Sequence, residues 1–186
     1  MRMQNAVRQW TVDDVHALPD DGKRYEVIDG ELFVTPAPNL RHQRVAGLMY
    51  SRLLAYLAVE RVGEVIIAPA DVIFSPRRAV QPDVFVMPLL ASGRAERFID
   101  VGRLLLAIEV LWQSTARADR VAKRKLFREE GVGEYWIVDV DARTIERFTP
   151  ADDRAEIVTD RLEWHPDGAA QPFVLALEEY FSTALD

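Results

Sequence analysis

Glu109 stands in LLLAIEVL, residues 104–111, where every neighbour for several positions is apolar. A carboxylate inside such a strand is expensive to bury unless a cation or hydrogen-bond donors meet it. Two readings follow: half of a structural ion pair, or a metal ligand or acid–base group. Asp83, after Pro82 and before VFVM, interrupts the start of a second apolar strand. Aspartate is disfavoured there, and its plainer role is a turn cap. Brought together by strand pairing, the two carboxylates would make a hard-oxygen site for a divalent ion such as Mg2+, which takes few protein carboxylates and fills its shell with water and phosphate oxygens. The chemistry open to such a pair is metal-assisted hydrolysis of a phosphate ester.

A helix follows the Glu109 strand and offers Lys123 and Lys125. At about 100° per residue, Ala122, Leu126 and Phe127 mark its buried stripe, with Lys123 on the flank. Lys123 is therefore favoured over Lys125 as the group aimed at the strand end. On periodicity alone, a solvated face shared with Arg120, Arg124, Arg128 and Glu129 is the more ordinary reading of both lysines.

The elements that must position these residues are legible in outline. Thr11 with Asp14 resembles a capping box for a short helix, about residues 12–18, stopped by Pro19. Residues 24–35, RYEVIDGELFVT, read as a hairpin about Asp29-Gly30. Asn39 can cap a long helix reaching about Arg61. Residues 63–74 and 80–88 look like two paired strands joined by a turn at 75–78. The run 104–111 is the best candidate for the sheet centre, since only a strand covered on both faces tolerates such continuous apolarity. Ser114 or Thr115 caps a helix over about residues 116–130, Gly131 ends it, and EYWIVDV, residues 134–140, is the next strand. That β-α-β unit implies a mixed sheet in an α/β sandwich. The segment from 141 onward reads as a returning hairpin and a last strand or short helix on the same core.

Composition limits the alternatives. The chain has 186 residues, 49% of them apolar and 28% charged, which suits one globular domain and neither a disordered chain nor a membrane bundle. Within a single domain over 1–186, the parts are a helix and hairpin (11–35), a core (36–140) and C-terminal strands (141–186). With no cysteine, thiolate metal sites, disulfides and cysteine nucleophiles are excluded. No secretory signal or membrane span is visible, and a cytoplasmic location is expected. A formal charge of -7, from 30 acidic and 23 basic residues, argues against holding nucleic acid by net charge. P-loop, dinucleotide, GxSxG and HExxH patterns are absent.

In the order YEVIDGEL, RHQ, QPDV, IEVL with a following Ser-Thr, and K...F...GVGEYWIVD, the chain resembles the Uma-type family of restriction-endonuclease-like proteins within the PD-(D/E)XK nuclease superfamily. The resemblance spans about residues 24–140. It implies a restriction-endonuclease-like α/β fold, a mixed central sheet flanked by helices. It implies that Asp83 and Glu109 bind a catalytic Mg2+ or Mn2+, joined by the Val110 carbonyl. The superfamily lysine two residues after the Glu is replaced by Leu111, and the family pattern places a lysine in the next helix, matching Lys123. Glu31 in DGEL matches a recurrent family acid, and His42 in RHQ an accessory group. A solvent-facing hairpin carboxylate and a first-turn surface histidine are their alternatives. Two departures stand out: Trp112-Gln113 replaces a small Ser-Pro beside the site, and Phe127 replaces a tyrosine, so no phenol is present there.

The function so implied is endonucleolytic phosphodiester hydrolysis of nucleic acid, with DNA as the first substrate to consider. Arg41, Arg44, Arg77 and Arg78, with the Arg-rich helix after Thr115, would form a basic rim for flanking phosphates, giving modest and salt-sensitive affinity. A homodimer would let one site meet each strand of a duplex. The competing function is a catalytically inactive binding or assembly module on the same fold, because fold kinship does not establish activity.

Overall fold

Thr11 opens α1 (Val12–His16) through a reciprocal capping box: the Asp14 N–H donates to Thr11 Oγ1 at 3.2 Å and the Thr11 N–H to Asp14 Oδ2 at 3.0 Å. The structure, a computed structural model, describes residues 8–90, 98, 102–111 and 118–186. β1 (Arg24–Ile28) and β2 (Glu31–Thr35) form the expected antiparallel hairpin. Asp29 and Gly30 between them both take positive φ, 53° and 83°, as a tight turn matching the strand twist requires. Asn39 caps α2 (Leu40–Glu60), its Oδ1 accepting the His42 N–H at 2.9 Å.

The next two apolar segments do not form one pair of long strands. Residues 63–74 divide into β3 (Gly63–Ile67) and β4 (Val72–Ser75), and residues 78–88 into β5 (Arg78–Val80) and β6 (Val84–Pro88). β3 pairs with β6 and β4 with β5, in different sheets. Pro69 and Pro82 stand at the two breaks, and neither can donate to a ladder.

β7 (Leu106–Val110) is followed, after residues that include the anticipated Ser114 or Thr115 cap and lie outside the described set, by π-helical turns at Ala118–Lys123. These run directly into α3 (Arg124–Glu129), which leads to β8 (Glu134–Asp139). β9 (Thr144–Phe148) and β10 (Glu156–Val158) extend the central sheet as a hairpin. β11 (Arg161–Trp164) and β12 (Phe173–Ala176) pair separately, and α4 (Leu177–Leu185) closes the chain.

The central sheet has six strands in the order β10-β9-β8-β7-β6-β3. β7 and β8 are parallel and the other pairs antiparallel, so the sheet is mixed, as the β-α-β unit requires. A four-stranded sheet, β2-β1-β5-β4, lies beside it. Side chains alternate across each strand. Val84, Val86, Leu106, Ile108, Val110, Trp136 and Val138 share one core with α2 and α4. Phe85, Met87, Ala107, Tyr135 and Ile137 share the other with Leu126 and Phe127 of α3. Asp83 and Glu109 have the parity of this second face.

The GVG segment before β8 shows how closely α3 and the sheet are joined. A Cβ added to Gly133 would lie 2.5 Å from the Leu105 carbonyl oxygen, which already accepts the Glu134 N–H. Gly133→Ala is expected to cost about 1–3 kcal/mol, because the backbone must move. Urea denaturation reads this directly, and an unchanged midpoint would contradict it. No helix among the described residues is long and apolar enough to cross a membrane.

Candidate active site

β6 and β7 pair with Val84 opposite Ile108, so the register continued by one residue sets Asp83 opposite Glu109. Both are 3% exposed. Between the parallel strands β7 and β8, Lys123 ends the Ala118–Lys123 turns where α3 begins. Lys123 Nζ donates to Glu109 Oε1 at 2.8 Å and stands 2.9 Å from Glu26 Oε1. Burial of the lysine is tolerable because carboxylates meet its ammonium on both sides.

Asp83 is gripped from three sides. His42 Nε2 lies 3.0 Å from Oδ2, the Val110 N–H donates to the same oxygen at 2.8 Å, and Arg24 Nη2 donates to Oδ1 at 2.8 Å. Arg24 Nη1 also donates to the Gln81 carbonyl at 2.7 Å and stands 4.0 Å from Glu109 Oε2. Burial alone would raise the Asp83 carboxyl; the His42 hydrogen bond, the Arg24 charge and the Val110 N–H outweigh it and hold it at about 2, below its ordinary 3.8. Burial likewise opposes the Arg24 charge, yet Asp83, Glu109 and Glu26 push that guanidinium above its ordinary range.

A carboxyl depressed in the fold stabilises it above the unfolded value, and that stability is lost as the pH falls through the folded one. For Asp83 the window runs from about pH 4 down to about pH 2, and the contribution is about 2 kcal/mol. Unfolding free energy measured between pH 5 and 2 should fall through that window. Asp83→Asn should flatten this part of the curve, and an unaltered curve would contradict the assignment.

Of the residues singled out in the sequence, Asp83, Glu109, Val110, Lys123 and His42 line one cleft with Arg24, Thr35 and the Pro36–Pro38 segment. His42 is not a surface residue: it is 6% exposed, and its Nδ1 is buried with no hydrogen-bond partner among the described residues. Lys125 is exposed and reaches Asp29 at 2.8 Å. Glu31 is also exposed, at the first position of β2 opposite Ile28. The hairpin acid that reaches the cluster is Glu26, 2% exposed, whose Oε1 also accepts the Gln81 N–H at 2.8 Å. At about 3.4 Å per residue, the two-residue step from Glu26 to Ile28 sets Glu31 about 7 Å further along the hairpin.

Glu26 and Arg24 were not singled out from the sequence. Their signal was present: Arg24, Glu26 and Ile28 alternate on one strand face, where a charged pair precedes a core residue.

The arginines are mostly engaged. Arg78 pairs with Asp29, Glu129 and Glu130, Arg41 with Asp141, Arg120 with Asp139 and Glu146, and Arg128 with Asp153. Arg44 and Arg77 are exposed and carry no ion pair among the described residues. Phe127 is buried, its ring 4.8 Å from that of Tyr135, and serves the core. Trp112 and Gln113 lie outside the described residues.

The donor set suits a hard divalent ion. Asp83 and Glu109 supply oxygen ligands from facing strands, and the cleft holds about 20 Å³ of free volume, room for one water-sized occupant. Among the described residues no three His, Asp or Glu side chains stand ready around a common ion position. Mg2+ does not demand three, and the acids here are turned onto Arg24 and Lys123.

Residues 12–178 match the family model described as Uma2, "Putative restriction endonuclease". The fold is also that of a solved structure, described as a putative nuclease belonging to DUF820 from Anabaena variabilis ATCC 29413. The two are 20% identical, with a TM-score of 0.77 over 95% of this chain and 99% of that one. No curated protein matches the chain.

Proposed function

The chain belongs to the Uma2 family of putative restriction endonucleases, and we propose that it hydrolyses phosphodiester bonds of nucleic acid, with DNA as substrate, in the cleft of Asp83, Glu109, Glu26 and Lys123. The observation that carries this reading is the convergence of three buried carboxylates and a buried lysine at the ends of β6 and β7. Four charged side chains this deep in a domain are costly, and pairing alone is a weak source of stability.

Asp83 and Glu109, with the Val110 carbonyl beside them, would hold Mg2+ or Mn2+. When bound, such an ion supplies Lewis acidity toward a phosphate oxygen and a water acidified toward neutral pH. Lys123 orients the Glu109 carboxylate, and its ammonium would stabilise charge building on the phosphate. His42 and the Val110 N–H fix the Asp83 carboxylate through Oδ2. Glu26 anchors Lys123 from the hairpin side, the position assigned to Glu31 by motif alone. Arg44 and Arg77 remain to meet flanking phosphates, so binding should weaken steeply with salt. Cutting both strands of a duplex in one encounter would take a homodimer.

A panel of single-stranded and duplex DNA and RNA, incubated with Mg2+ or Mn2+ and with EDTA, tests the activity. Metal-dependent cleavage of DNA that survives Glu31→Ala is the expected result. No cleavage of any substrate would favour a non-catalytic binding or assembly module. One observation supports that second reading: Asp83, Glu109 and Glu26 each already face a protein cation, Arg24 or Lys123.

A further inference from the structure

Among the described residues, two cations face the acids of the cleft, and they are placed differently. Lys123 is 4% exposed at its side chain and lies between Glu26 and Glu109. Arg24 is 13% exposed, on the first residue of β1, and its guanidinium reaches in from the edge of the cleft. Asp83 Oδ2 is taken by His42 and the Val110 N–H, and Glu109 Oε1 by Lys123. Asp83 Oδ1 and Glu109 Oε2 both turn to Arg24, at 2.8 and 4.0 Å. Asp83 and Glu109, one from each facing strand, would hold a divalent ion there.

We propose that Arg24 is an exchangeable counter-ion of this site, its guanidinium facing Asp83 Oδ1 and Glu109 Oε2 and withdrawing when a divalent ion is held there. The inference rests on the metal-site reading above and adds a positioning residue to it. Facing buried carboxylates repel unless a cation stands between them, so a protein with no ion bound needs a substitute. Arg24 is suited to be that substitute. Its bond to Asp83 is single, its approach to Glu109 is beyond hydrogen-bonding distance, and its other anchor is the neutral Gln81 carbonyl. A long side chain at the cleft edge can carry its head into water while its stem stays packed.

The decisive measurement is arginine side-chain NMR of the wild-type protein, with the Arg24 guanidinium signal assigned by its loss in Arg24→Lys. Without metal this signal should show slow hydrogen exchange and hindered rotation; at saturating Mg2+ both should be lost. Retention of both with Mg2+ bound overturns the proposal. Calorimetric titration with Mn2+ is the second arm. Arg24→Met should bind about tenfold more tightly than wild type, the scale of one charge-assisted hydrogen bond no longer broken on binding. Equal or weaker binding by Arg24→Met overturns the exchange while leaving the metal site in place. Absence of Mn2+ binding by wild type and variant alike overturns the metal-site reading and this inference with it. If Arg24→Met does not fold, the wild-type NMR arm decides alone.

Discussion

Lys123→Met is expected to abolish metal-dependent cleavage and to lower folding stability by about 3–5 kcal/mol, the cost of removing one partner from a buried ion pair. The lysine ammonium touches Glu109 and Glu26, both 4% exposed or less at their side chains, and no water can readily replace it. Methionine fills nearly the same volume, so the loss measures charge rather than packing. Lys125→Met is the control. Lys125 lies two residues on, more than half exposed and paired to Asp29 across the surface, and its loss should leave cleavage unchanged. Chemical denaturation and a nuclease assay on the two variants separate the outcomes. Equal behaviour of the two lysines would remove Lys123 from the site, and loss of cleavage only in Lys125→Met would reverse the assignment.

Asp83→Ala should be as severe for activity, about a hundredfold or more, because it removes an oxygen ligand and the group that His42, Arg24 and the Val110 N–H jointly hold. It also leaves the Arg24 guanidinium and the Val110 N–H without their acceptor, again a loss of several kcal/mol. Asp83→Asn separates the two effects. It keeps an oxygen for the donors and much of the fold but loses the charge that attracts a divalent ion. Mn2+ binding should therefore fail in both variants, while stability near neutral pH falls further in Asp83→Ala. Calorimetric Mn2+ binding retained in Asp83→Asn would place the ion elsewhere.

The mixed sheet followed from local signals that survive folding. An unbroken apolar run predicts β7 because only burial on both faces tolerates it, and Asp29-Gly30 sets the hairpin because few residues accept positive φ there. The same reasoning misjudged residues 63–88, where the apolar stretches read as two long strands and became four short ones in two sheets. Periodicity counts apolar residues, whereas a ladder counts donors, and Pro69 and Pro82 interrupt the second without disturbing the first.

Sequence by itself determined which side chains are chemically conspicuous: Asp83 and Glu109 each break an apolar strand, and that anomaly needs no partner to be seen. Sequence favoured Lys123 over Lys125, but the fold decided it: Lys123 ends the π-helical turns against Glu109, while Lys125 in α3 reaches Asp29 at the surface. Which hairpin acid meets the lysine was decided only in three dimensions. Glu26 and Glu31 lie in the same hairpin on one face, and their difference is the distance along β1 at which the neighbouring sheet passes. Tertiary structure alone also buried His42, otherwise a first-turn residue with no local reason to be inside, and set Arg24 between two carboxylates 59 and 85 positions away in the chain. Electrostatic pairing of this kind depends on distance in space, which short-range patterns in a chain do not encode.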